Sequence, residues 1–140
     1  MKRAAWCAVL LVSVASPARA DDRVEARALL DHVHEAEPMI RAAIQTRDLS
    51  ELQRQAAAAT RALFASRDRM SGDEKYHSCI RSILETAGLA RYLELVAKNG
   101  LDAPSLVGLQ AVYGRWRTET GDCEAKLDQK RPRQLVLDLG

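Results

Sequence analysis

The residues whose types could do chemistry are few. His32-Val33-His34-Glu35 places two imidazoles close together, and His77 supplies a third. Imidazole nitrogens ligate zinc, copper and haem iron. A helical metal pair needs histidines four apart, so that both project from one face. Residues two apart point about 200° away from each other on a helix. His32 and His34 therefore cannot hold one ion from one helix. Antiparallel folding would still bring His32, His34 and His77 to the same end, with Glu35 and Glu74 near them. They are weak candidates for a cross-helix metal site, against the plainer expectation of solvated or flanking histidines.

Haem is the other ligand a helical bundle can hold. The chain has no Cys-x-x-Cys-His, the motif of covalent attachment. A b-type His/Met pair would have to use His77 with Met39 or Met70. Met70 falls on an apolar stripe, where methionine usually fills space. The serines occupy caps and helix surfaces, and none sits in a Gly-x-Ser-x-Gly elbow. Aspartates and glutamates read as caps and solvated helix charges. No catalytic residue, cofactor or metal is assigned, and the expectation is a chain that is not an enzyme.

The chain has three cysteines, Cys7, Cys79 and Cys123. Residues 1–20 read as a secretory signal. Lys2 and Arg3 precede an apolar run from Ala4 to Ala15, Pro17 breaks it, and Ala18-Arg19-Ala20 is a cleavage site. The run is well short of the ~20 residues that span a bilayer. The expected mature chain, from Asp21, keeps Cys79 and Cys123, which should pair in an oxidising compartment. It also loses Lys2, Arg3 and Arg19, leaving 18 basic against 19 acidic residues. A balance so near neutral gives no footing for nucleic-acid binding.

The elements that must position these residues are helices. Apolar residues recur at steps of three and four in four segments, from about Arg23 to Thr46, Leu49 to Met70, Asp73 to Lys98 and Ala103 onward. Pro38 should kink or split the first. Asp48 with Glu51, and Ser71 with Glu74, read as capping boxes. Asn99-Gly100 stops the third helix. The fourth carries Leu109, Tyr113, Trp116, Thr120, Cys123 and Leu127 on one face. The fold class is thus all-α: an up-down antiparallel bundle of about four helices over residues 21–131, with a tail at 132–140.

The third and fourth helices are joined by a short connection around Leu101, which makes them antiparallel neighbours. Cys79 and Cys123 are equally far from Leu101, roughly 33 Å down each helix at 1.5 Å per residue. They are level, on apolar faces, and should be bridged. The same register sets Leu93 against Leu109, and Ala87 and Gly88 against Arg115 and Trp116. Trp116 is therefore expected on the small Ala87–Gly88 surface.

Arg115, Arg117, Lys126, Lys130, Arg131 and Arg133 concentrate positive charge in the last quarter, next to the apolar Leu135-Val136-Leu137. The charge reads as an ordinary solvated face, and the apolar stretch as lying back on the bundle or offering an edge to a partner. Together these features suggest a periplasmic or secreted, non-enzymatic bundle. It would bind a protein partner through a bundle face or its tail, in an inhibitor, immunity or chaperone-like role. The alternative is a carrier of metal or b-type haem.

Overall fold

The computed structural model describes residues 21–140, and the signal sequence and Cys7 lie outside the described residues. Four long helices follow in order: α1 (Asp22–Thr46), α2 (Leu49–Arg67), α3 (His77–Asn99) and α4 (Ala103–Leu127). A single 3-10 turn, Glu74–Tyr76, precedes α3. Among the described residues there is no strand. Each helix packs on its neighbour in sequence. α3 is the central element, touching α1, α2 and α4, and α1 and α4 form the thinnest of the helix contacts.

Aspartates start the helices. Asp21, Asp48 and Asp102 accept from the backbone N–H of Arg23, Glu51 and Ser105, which satisfies donors that the first turn leaves open. Glu51 does not close its capping box. Its carboxylate turns outward to Arg54 and Gln55. The second expected box is also absent. Ser71 gives both its N–H and its hydroxyl to Asp22 on α1, so it ties the α2–α3 loop to the first turn of α1. Helix α3 accordingly begins at His77, later than its hydrophobic pattern suggested. Helix α1 runs through Pro38 as one element. A proline there costs ~3 kcal/mol. The burial of Leu29, Leu30, Val33, Ile40 and Ala43 along that one helix outweighs it.

The disulfide joins Cys79 on α3 to Cys123 on α4, with the Cα atoms 4.8 Å apart. It lies in a small apolar cluster with Ala26, Leu30, Tyr76 and Leu127, and Met70 packs against it. The register continues up the hairpin. Ser82 and Thr120 hydroxyls meet at 2.8 Å, and the Trp116 indole N–H donates to Thr86 Oγ1 at 3.1 Å. Arg81 pairs with Glu119 and Arg115 with Glu85, both at 3.0 Å. Higher still, Tyr92 lies over Gly108, where a Cβ would overlap its hydroxyl and require the tyrosine to shift.

One expectation within this hairpin needs correction. Trp116 is buried, but it is not seated on Gly88. A Cβ built at Gly88 meets nothing within 4 Å. The indole instead turns its N–H to the polar Thr86, because a buried indole N–H needs an acceptor and Ala87 and Gly88 offer no side-chain one.

The tail is part of the fold. Beyond α4 the chain turns at Asp128, which adopts a left-handed φ of 53°. It then runs back along the α1/α4 seam in an extended form. Leu135 is 1% exposed, Leu137 and Leu139 are half-buried, and Gln134, Val136 and Asp138 face outward. That alternation is the side-chain period of an extended chain.

Candidate functional site

The strongest convergence of polar groups among the described residues lies under this tail. Helix α1 presents His34 and Glu37 one turn apart, on the face that also carries Leu30 and Val33. Helix α4 presents Glu124 beside the disulfide, with Trp116 and Tyr113 further along. The tail brings Arg133. His34, Glu37 and Glu124 are all buried.

Arg133 holds the group together. Its Nη2 donates to Glu124 Oε1, and its Nη1 lies 3.8 Å from Glu37 Oε2. Its guanidinium sits 5.6 Å from the centroid of the Trp116 ring, a cation–π distance. Its second Nη2 contact is the Arg131 carbonyl at 3.2 Å. A guanidinium suits this place because its planar fork can serve two carboxylates and an aromatic face together.

His34 Nε2 lies 2.8 Å from the same Glu124 oxygen. An ionised carboxylate only accepts, so Nε2 carries the proton. Its Nδ1 is buried with no hydrogen-bond partner among the described residues. The His34 side chain is 3% exposed. A ring so enclosed can orient Glu124, but solvent and solute have almost no access to it.

Glu37 does two things at once. Besides facing Arg133, its Oε1 accepts the backbone N–H of Gln134 and of Leu135, the latter at 2.9 Å. Tyr113 completes the hold on the tail. Its hydroxyl donates to the Leu135 carbonyl at 3.0 Å and accepts the Leu137 N–H at 3.2 Å. Further along, Gln110 Nε2 donates to the Leu139 carbonyl at 3.0 Å. The helices thus grip the tail largely by its main chain, and apolar contact is added at every second side chain. Two open clefts flank it. One of about 540 Å³ is bordered by Arg41, Ile44 and Gln45, and another of about 390 Å³ by Gln110, Gly114 and Arg117.

The sequence candidates are distributed differently. Among the described residues no group of three or more His, Cys, Asp or Glu is placed to hold a metal ion. His32 is exposed, in a shallow cleft with Met39 between α1 and α2. His77 starts α3 and is half-buried. His34 faces Glu124 instead of its sequence neighbour. Of the methionines weighed for haem, Met39 is 45% exposed, and Met70 packs against both apolar clusters. Cys79 and Cys123 are the one pair of candidates the fold joins.

Sequence reading missed the buried ions. Glu37 and Glu124 read as solvated helix charges and Arg133 as part of a basic surface run. The signal that could have found them is their position. Glu37 and His34 lie one turn along from apolar stripe residues, and Glu124 follows Cys123 directly.

Compared with known proteins, the chain matches no family model, no curated protein and no solved structure.

A further cavity lies where α1 and α3 end, with Ile44 shared between it and the first of the clefts beside the tail. Its volume is about 400 Å³, and it is lined by Ile44, Leu52, Leu93, Val96 and Leu101 with Arg47 at its edge. Its lining is apolar apart from Arg47 and offers no acid–base pair.

Proposed function

We propose that this is an exported, non-enzymatic helical bundle that binds a protein partner at its α1/α4 seam, where the C-terminal tail docks. The reading is supported most by one observation. Glu37, Tyr113 and Gln110 hold main-chain groups of an extended piece of chain in a seam between two helices, and Glu124, beside His34, meets the arginine of that piece. Side chains that recognise main-chain N–H and C=O groups are the equipment of polypeptide binding. An open cleft beside the docked tail, bordered by Gln110, Gly114 and Arg117, leaves room at the seam for a partner.

Export fits this picture. A disulfide is stable in a periplasmic or extracellular compartment, and none of the described helices is long and apolar enough to cross a membrane. The reading is tested by a photo-crosslinking residue at Arg117, an exposed α4 position bordering the cleft beside the tail, in the exported chain, with a second at Ser50, an exposed site on α2, as control. A discrete crosslinked partner at Arg117 and none at Ser50 is expected. Equal labelling at both sites, or none at Arg117, would refute the reading.

A further inference from the structure

The seam holds its tail in an unusual way for a structural C-terminus. Every main-chain hydrogen bond described between the bundle and the strap of residues 133–139 is made by a bundle side chain: Glu37, Tyr113 or Gln110. No backbone–backbone hydrogen bond joins strap to helix among the described residues. Such bonds do not depend on which side chains the strap carries. Side-chain selection enters at alternate positions only. The paired carboxylates Glu37 and Glu124 meet an arginine, and the apolar wall beyond them meets leucines.

The strap also underfills its site. Leu135 is its one fully buried side chain, and open clefts lie on both sides of the extended segment. It is tethered through a short connection that includes Pro132, and its far end, Gly140, is exposed.

From these observations we infer that the α1/α4 seam is a receptor groove for an extended peptide segment of a partner protein. The segment has an arginine followed by apolar residues at every second position, and the chain's own Arg133–Leu139 is the resident occupant. This rests on the proposed function above and names the partner's chemistry. Binding in trans requires the strap to leave. A tethered occupant competes at an effective concentration on the order of millimolar. The groove is therefore closed to weak ligands and opens to a segment that also fills the flanking clefts. Affinity for any free segment falls by the fraction of time the strap is docked.

The test uses the full chain and a fluorescent peptide carrying residues 133–140. Leu135→Asp puts a charge where the strap needs its buried leucine, and leaves the groove residues intact. Arg133→Ala is the milder second variant. Circular dichroism identifies whichever of them keeps the bundle. The peptide should bind that variant saturably, one per chain, and at least tenfold more tightly than it binds the wild-type chain. Adding Glu37→Leu to the same variant should abolish the binding. A scrambled peptide with arginine and leucines on opposite parities should bind at least tenfold more weakly.

Equal binding to wild type and variant, or equal binding of the scrambled peptide, would overturn the inference. So would a concentration-dependent dimer of the wild-type chain that exchanges its straps, because the groove would then serve a second copy. If the peptide fails while the Arg117 crosslink persists, the groove is refuted and partner binding survives. If both fail, both readings fall.

Discussion

Glu37 accepts the main-chain N–H of Leu135 at 2.9 Å, across a separation of 98 residues. The contact links the middle of α1 to the extended C-terminal strap and closes the seam between α1 and α4. Replacing Glu37 by leucine leaves two strap N–H groups and the Arg133 guanidinium without this acceptor. Breaking a buried charge pair by removing one partner costs ~3–5 kcal/mol when nothing can relax. Here the strap can lift away and let water in, so the loss is limited to the free energy of docking. Glu37→Leu should speed amide exchange along residues 134–139 at least tenfold and change the melting temperature little. A large fall in melting temperature with an unchanged tail would show that Glu37 supports the helices instead.

The Ser82–Thr120 contact tests a different balance. Two buried hydroxyls satisfy each other at 2.8 Å on the α3–α4 face. Thr120→Val strands the Ser82 hydroxyl and should cost about 1–3 kcal/mol. Ser82→Ala together with Thr120→Val removes both polar groups and should recover most of that loss. Chemical denaturation of the two single variants and the double completes the cycle. A double variant as unstable as the sum of the singles would contradict the pairing.

Gly88 sits in the middle of α3 with open space around its α-carbon. Alanine there removes the helix penalty of glycine without a clash. Gly88→Ala should stabilise the protein by about 0.5–1 kcal/mol, read as a higher melting temperature. A destabilised variant would mean that the α3 surface is closer packed than described.

Much of this fold was legible in the sequence. The three-four stripes locate all four helices, and equal distances from Leu101 pair Cys79 with Cys123. What escaped is informative. The exact partner of Trp116 differs because hydrophobic periodicity does not register that an indole N–H wants an acceptor. The start of α3 differs because the competing claim of Asp22 on Ser71 comes from a distant element. The site itself was hidden for the same reason. His34, Glu37, Glu124 and Arg133 look like helix and tail charges until three segments are brought together, and no local spacing encodes that meeting. The tail's alternation at Leu135, Leu137 and Leu139 was present in the sequence, but the seam that receives it was not.

Glu51, beside the start of α2, gives an acid-side prediction. Hydrogen bonds from Gln55 and Arg54 hold its carboxyl below the ordinary glutamate range. A carboxyl whose pKa is depressed by folding contributes stability above its unfolded value and loses it as pH falls through the folded one. Glu51→Gln should therefore flatten part of the loss of stability below about pH 4.5 and destabilise the chain at neutral pH. A pH series of denaturation midpoints checks this, and parallel curves for the two proteins would count against it.

The disulfide can be tested apart from the strap. It closes a long loop across α3 and α4, for which removal costs ~2–5 kcal/mol. Cys79→Ala with Cys123→Ala should lower the melting temperature and keep the helical circular dichroism at low temperature, since the caps and stripes remain. Loss of helix at low temperature would show that the bridge, and not the packing, holds α3 and α4 together.

Partner binding and the groove both depend on the tail being held in the seam. The backbone N–H of Leu135 reports this directly, because its acceptor is Glu37 and its residue is 1% exposed. Hydrogen exchange by NMR on the full chain should find the Leu135 amide protected by at least tenfold over the free peptide. Its protection should vanish in Glu37→Leu, while amides inside α3 keep theirs. A Leu135 amide that exchanges at the free-peptide rate in the wild-type chain would contradict the docked strap and the receptor groove built on it.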